Sequence, residues 1–363
     1  MAKYVIKRIL LLFFTLFVIM TICFVLVKLL EPNEILDVTQ AEREQAIRDA
    51  LGYNEPILIQ YLIYWRNILT RFDFGVSFEI EYLGSVNSII QDRLLPTILI
   101  NVYALIFSVP IGILLGIAAA LKKNRWQDHT ISTLVMLFVS VPSFVYAFVL
   151  QYFLGAKLGW FPIQMASVTD TGSYFSWDMF VSMVLPIFAL SFGSIASLAR
   201  FTRAELAESL TSEYMLLARA KGLSKGQATM RHALKNAMVP ILPTIIAMFA
   251  NILSGSLIIE RIFSVPGIGG LYMLSIQELD YNVFMAVTVF YTFIGLAANI
   301  IVDLSYGFLD PRIRMGAKND RRRKIDRTTE PGRFPLRLPR GRHQGQEAGD
   351  KACRIFPRCL ETV

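Results

Sequence analysis

The stretch ARAKGLSKGQATMRHALKNA, residues 218–237, decides how the rest of the chain is read. It is basic and water-loving, yet apolar runs flank it on both sides. Just before it, AELAESLTSEYMLLARAK, from Ala204 to Lys221, consists of good helix formers. Glu205 and Glu208 fall in its first turn and Arg219 and Lys221 in its last, as the helix dipole favours. Gly222 then suits a left-handed C-terminal position, and Ser224 with Gln227 has the spacing of a capping box that opens a second helix. Residues 203–238 are therefore expected to form a helix, a sharp turn and a helix, outside the lipid. Leu210, Tyr214 and Leu217 recur on one face, and Tyr214 to Leu217 is a continuous apolar patch beside the turn. Such an elbow either packs on its own bundle or docks on a separate cytoplasmic partner, and the spacing leaves both open.

Outward from the elbow, about 20 apolar residues in helical form are needed to cross a hydrocarbon core of about 30 Å. Six segments qualify: Ile9 to Leu30, Pro96 to Leu121, Thr130 to Leu154, Met179 to Ala199, Val239 to Ile259, and Tyr281 to Asp303. Lys and Arg in the flanking loops orient them, because cationic side chains resist translocation. Lys3, Lys7 and Arg8 precede span one, Lys122, Lys123 and Arg125 separate two from three, and Arg312, Arg314 and Lys318 follow six. Between spans four and five stand Arg200, Arg203, Arg219, Lys221, Lys225, Arg231 and Lys235, whereas the opposite loops hold only Lys157 and Arg261. Both termini are thus expected in the cytoplasm. The first span is too long for a signal-peptide core and lacks a small-residue cleavage site, so it reads as retained. Residues 31–95, with eleven acids against five bases, suit the outside, and Ile57, Leu58, Tyr61, Leu62, Trp65 and Ile68 predict an amphipathic helix at the outer surface. Prolines 110, 142, 186, 240 and 243 punctuate the spans, which lipid tolerates only where neighbouring helices satisfy the freed carbonyls. Gly112, Gly116 and Ala120 would let another helix approach span two closely.

Composition agrees. Hydrophobic residues make up 54% of 363, above the roughly 45–50% of soluble domains. The net charge of +8 resides mostly in residues 316–363, where thirteen Lys and Arg face six Asp and Glu, leaving +1 for everything before. It therefore points to no nucleic-acid partner. That tail is Pro-, Gly- and Arg-rich without periodicity and reads as a basic, disordered appendage with no function of its own, as from a shifted reading frame. Cys23, Cys353 and Cys359 offer neither a disulfide framework nor a metal site.

At this point the residues resemble a known family. EYMLLARAKGL (213–223) followed by RHALKNAMVP (231–240) is similar to the cytoplasmic signature loop of ATP-binding-cassette importer permeases of the dipeptide and oligopeptide branch. LGYNEPILIQY at 51–61, SVPSFVYAFVLQYFLGAKLGWFP at 140–162, GSLIIERIFSVPGIG at 255–269 and DPRIR at 310–314 resemble the same branch, in order, over residues 1 to 315. The general importer pattern places Glu-Ala-Ala six residues before its glycine. Here Leu216, Leu217 and Ala218 stand there, and Ala218 alone matches, while Lys235 stands where that pattern has proline. The resemblance implies an all-helical, six-span type-1 importer permease in the cytoplasmic membrane of a prokaryote. Its divisions would be 1–30, an extracytoplasmic 31–95, a core of 96–310 and the tail. It implies as partners a second, similar permease subunit, two ATPase subunits that hold ATP and Mg, and an extracytoplasmic peptide-binding protein. The elbow would be the coupling helix, with Glu213, Tyr214, Ala218, Arg219, Ala220, Lys221, Gly222 and Leu223 docking on an ATPase, and Glu213 offering the only nearby carboxylate.

The chain itself has no GxxxxGK[ST] phosphate loop, and no cofactor is expected on it. LSKGQ at 223–227 only echoes a cassette ATPase signature. Ser194 and Ser197 have no base in reach of lipid depth, since His129, His232 and His343 lie at a span boundary, in the elbow and in the tail. An ion-coupled secondary transporter would need buried ionisable groups, and only Lys28 and Asp303 stand near span ends. That alternative, and a permease for nickel or another solute on the same scaffold, are carried as rivals. Ser140, Asn251 and Ser254 are candidates for a substrate path. With Asn101, Gln151 and Asn299, they equally suit hydrogen bonding between helices.

Overall fold

The computed structural model describes residues 2–29, 45–252 and 256–309, with side chains from 6 to 305 within those ranges. Ser254, residues 31–44, the DPRIR run and the tail lie outside them. The described residues belong to one compact unit, Met1–Pro311. Eleven helices carry the fold: α1 (Ala2–Leu29), α2 (Ile57–Arg71), α3 (Val86–Leu121), α4 (Trp126–Ser140), α5 (Ser143–Lys157), α6 (Trp177–Leu210), α7 (Glu213–Ala220), α8 (Lys225–Ala250), α9 (Leu257–Ile262), α10 (Ile268–Gln277) and α11 (Tyr281–Leu309). The only strand-like pairing among the described residues is an isolated bridge, Val76 to Ser85.

Among the described residues, five helices are long and apolar enough to span, and α4 with α5 makes a sixth, bent by 100°. That bend corrects the expected straight third span. Val141 is extended (φ −84, ψ 126) because the following Pro142 ring forbids the helical conformation there and has no N–H to continue the ladder. Other spans differ in extent. The helix of span two begins at Val86, so the boundary set at residue 95 falls inside α3. The helix that holds span five runs from Lys225 to Ala250 instead of reaching Ile259, and α9 is a separate short helix. Apolar composition continues past Ala250, but α8 ends at Asn251, whose side-chain amide turns back to the Ala247 carbonyl.

The most extensive helix pair is α3 with α6. A Cβ on Gly112 would come within 3.0 Å of the Leu198 Cβ, and one on Gly116 within 2.5 Å of the Thr202 Cβ and 2.7 Å of the Ala199 carbonyl. The expected small-residue stripe is thus where two backbones meet. Leu99, Ile100, Met179, Met183, Ile259 and Phe263 form one core between α3, α6 and α9. Met20, Val86, Ile89, Leu271 and Val283 form another, between α1, α3, α10 and α11. At one end of the bundle Arg8 pairs with Asp303 at 2.9 Å, tying α1 to α11. Arg203 takes Asp128 in a fork, Nε to Oδ1 at 2.5 Å and Nη2 to Oδ2 at 2.7 Å, tying α6 to the start of α4. Asp128 also accepts the Asn124 amide and the Ser132 hydroxyl and is 1% exposed. Arg203, counted above as a loop charge, is therefore half of an ion pair.

Candidate functional site: the elbow around Gly222

The elbow is two helical arms joined at Gly222, but its first arm is not the single helix expected from Ala204 to Lys221. Residues 204–210 are the end of α6, which continues past the apolar span without a break. The chain breaks at Thr211 and Ser212 and restarts as α7. Two serines make the break. Ser212 Oγ donates to the Ser209 carbonyl at 2.6 Å, and Ser209 Oγ donates to the Ala233 carbonyl on α8 at 2.7 Å while sharing a short hydrogen bond with the Tyr214 hydroxyl. Side-chain hydroxyls that compete for helix carbonyls favour such breaks. They also clamp the three arms of the site, α6, α7 and α8, at one point.

At the other end of α7 the local code reads as expected. Gly222 sits at φ +87, its N–H donates to the Arg219 carbonyl at 3.0 Å, and the Leu223 N–H donates to the Ala218 carbonyl at 3.3 Å. This pair of bonds is the Schellman closure, with Gly222 at its left-handed position and Leu223 packed back on the helix it ends. Ser224 and Gln227 then complete the capping box, Ser224 N–H to Gln227 Oε1 at 3.1 Å and Gln227 N–H to Ser224 Oγ at 3.3 Å. The turn is thus held by four hydrogen bonds within the ten residues 218–227, which makes it a stiff corner. A π-helical turn at Thr229–Ala233 interrupts the second arm before it becomes span five.

The elbow's two faces answer the question the spacing left open, because it packs on its bundle with one face and offers the other. Met215 and Ala218, each 5% exposed, pack with Ala228, Ala233 and Ala237 against Leu206, Ala207 and Ala120. Leu216 and Leu217, at 68% and 57%, face away from the bundle, beside exposed Glu213, Tyr214, Arg219, Ala220, Lys221 and Gly222. Of the eight residues singled out by resemblance, six lie on this outer surface, Leu223 is half-buried, and Ala218 faces inward. The outer surface also includes Met230, 65% exposed on the second arm, which no helical periodicity singled out.

Two of the three candidate path residues, Ser140 and Asn251, lie within the described residues. Ser140 is exposed at the end of α4, and Asn251 bonds within its own helix. Asn101 likewise bonds to the Thr97 carbonyl of α3, whereas Gln151 links elements, donating to the Ile163 and Ile262 carbonyls. Besides Asp128, two buried carboxylates were missed. Glu260, 3% exposed, accepts the Gly269 amide at 2.8 Å, the Gly270 amide at 3.1 Å and the Thr97 hydroxyl at 3.1 Å, so it caps α10 from within. A Cβ on Gly267 would lie within 2.4 Å of both Glu260 and Thr97, so the glycines of SVPGIGG are needed for this approach. Asp280 accepts from the Ser77 hydroxyl and from the amides of Phe78, Glu79 and Ile80, fastening the outer loop to the start of α11. A carboxylate a few residues before a Gly-rich run was the available signal for the first.

The glycine-centred elbow, clamped between two spans and apolar on its free side, lies within a family match. The family described as binding-protein-dependent transport system inner membrane component matches residues 112–315. The chain belongs to this family. The match takes in the whole elbow, the α3–α6 seam from Gly112 and the Glu260 cap, and it ends where the basic tail begins. Among relatives of this inner membrane component, the dipeptide transport system permease protein DppB of Bacillus subtilis (strain 168) is 36% identical over 321 residues, which is 88% of this chain and 100% of that one. DppB of Lactococcus lactis subsp. cremoris (strain MG1363) is 38% identical over 319 residues, 87% and 100% of the two chains. The glutathione transport system permease protein GsiC of Salmonella choleraesuis (strain SC-B67) is 32% identical over 318 residues, 86% and 99%.

Proposed function

We propose that this inner membrane component forms, with a second and similar permease subunit, the path by which short peptides delivered by an extracytoplasmic binding protein enter a prokaryotic cell, driven by two ATPase subunits that bind ATP and Mg. The observation that carries the reading is the elbow, a stiff corner that buries Met215 and Ala218 on its own bundle and leaves Leu216 and Leu217 to a partner. Two adjacent leucines facing water on a rigid mount are a docking surface, since burying each would contribute about 1.5–3 kcal/mol. Seated in an ATPase groove, α7 would pass rigid-body motion to α6 and α8 through the Ser209 clamp, and so to both spans at once. The relatives named for dipeptide and glutathione transport support peptides as the cargo.

Reconstitution of the chain into vesicles, with and without the partner subunits, tests this. ATP-dependent uptake of labelled dipeptide only in the complete assembly is expected. Peptide counterflow by this chain alone under a proton gradient would instead establish the ion-coupled alternative, and nickel uptake without peptide uptake would move the cargo to another solute.

A further inference from the structure

On the outer side of the molecule lies a cavity with a mainly apolar lining and a few polar groups, which the transport reading does not use. The end of α1, residues 51–54, α2, the loop at 73–76 and the start of α11 enclose it. Lys28 projects there from the last turn of α1. Its ammonium lies 5.8 Å from the Phe24 ring and 5.7 Å from the Tyr53 ring, and among the described residues it meets no carboxylate. Arg48, over the Phe78 ring at 4.7 Å, lines the adjoining outer mouth with Lys28. The acids nearby are Asp73, whose Oδ1 accepts the Gly75 amide, Asp280, occupied as described, and Glu79 at the mouth. Two further groups are buried there without partners: the Tyr64 hydroxyl, a donor, and Gln60 Oε1, an acceptor.

The depth of this cavity is set by α1. Twenty residues separate Arg8, paired at the inner end, from Lys28, which at the helical rise is about 30 Å, the thickness of the hydrocarbon core. Lys28 thus stands at the outer headgroup plane. Below it, between α1, α2, α3 and α11, runs an apolar groove of about 800 Å³ lined by Phe13, Phe17, Trp65, Leu69, Phe72 and Phe293, within the size range of roughly 300–1,000 Å³ for ligand pockets. Phe74 lines both cavities. From Phe17 to Lys28 is eleven residues, or about 16 Å, the depth of one leaflet.

We propose that the α1–α2 seam binds one glycerophospholipid of the outer leaflet, with its phosphate at Lys28 and the Tyr64 hydroxyl, a headgroup hydroxyl or ammonium on Gln60, and an acyl chain in the groove below. An ammonium flanked by aromatic rings and a phenol suits a phosphodiester, and the groove suits the tail attached to it. The lipid would fill the space between the amphipathic helix and the bundle, fixing the outer segment to the spans.

Native mass spectrometry of the full-length chain, loaded with phosphatidylglycerol and then stepped through delipidating detergent, tests the proposal. One lipid is expected to stay after bulk lipid has left, and Lys28→Gln should lower its retention about fivefold while Lys28→Arg keeps it. Diacylglycerol, which has the tails without the phosphate, should be lost early, and millimolar inorganic phosphate should not displace the lipid. Equal retention in Lys28→Gln, equal retention of diacylglycerol, or displacement by inorganic phosphate would each overturn the proposal. Normal peptide uptake by Lys28→Gln with reduced lipid retention would support it, because the site is separate from the elbow.

Discussion

The elbow's angle rests on one backbone conformation, and substitution at Gly222 isolates it. A Cβ added at Gly222 meets no atom within 4 Å, so the cost of a side chain there is conformational, not steric. At φ +87 an L-residue loses about 1–2 kcal/mol relative to the right-handed region. The β-branched valine is the worse case, and asparagine tolerates this region better. If the chain relaxes instead, the Gly222–Arg219 and Leu223–Ala218 bonds go, each contributing about 0.5–1.5 kcal/mol. Either way the loss is about 1–3 kcal/mol. That is below a typical folding stability of about 5–15 kcal/mol, so insertion and assembly survive. It is still a shift of about fivefold to a hundredfold against the native corner, at about 1.4 kcal/mol per factor of ten. We therefore predict a graded series, Gly, Asn, Ala, Val, in peptide-stimulated ATP hydrolysis and in uptake by the reconstituted assembly, with equal amounts of chain in the vesicles. Wild-type uptake by Gly222→Val, or an Asn variant as impaired as Val, would refute the argument from the corner.

Other perturbations separate the elbow's faces and test the bundle beneath. Leu216→Asp with Leu217→Asp should leave the melting temperature unchanged and abolish co-purification of the ATPase subunits, whereas Met215→Ala should cost about 2–5 kcal/mol in thermal unfolding. Gly116→Val should destabilise by about 1–3 kcal/mol or more, because its side chain enters the α3–α6 seam at Thr202, while Gly226→Ala, with open space around it, should stabilise by about 1 kcal/mol. Arg203→Met should cost about 3–5 kcal/mol by leaving Asp128 buried without its cation, and adding Asp128→Asn should recover much of this, both read from denaturation in detergent.

The number of spans and the punctuation of the elbow were legible in the amino acids because each is local. Twenty apolar side chains in a row, a glycine at a left-handed position and a serine three residues before a glutamine all act within a few turns of where they are written. The close approach at Gly112 and Gly116 was legible as a pattern, although only the structure names Leu198 and Thr202 as what they touch. The 100° bend at Val141 and Pro142 was half-visible, since proline announces a break and the packing around it sets the angle.

What the tertiary structure alone decided is where distant segments meet. Thr97 reaches Glu260 across 163 positions, Ser77 reaches Asp280 across 203, and Arg203 reaches Asp128 across 75. No window of sequence contains both members of such a pair, and their charges read singly as loop or span-end residues. The same holds for the elbow. Helical periodicity put Tyr214 and Leu217 on one face, but whether Met215 or Leu216 faces the bundle depends on the break at Ser212. That break is held by the Ser209 bond to Ala233 on another arm. Local propensity thus wrote the helices and the corner, and burial against residues far along the chain chose which side of the corner remained free.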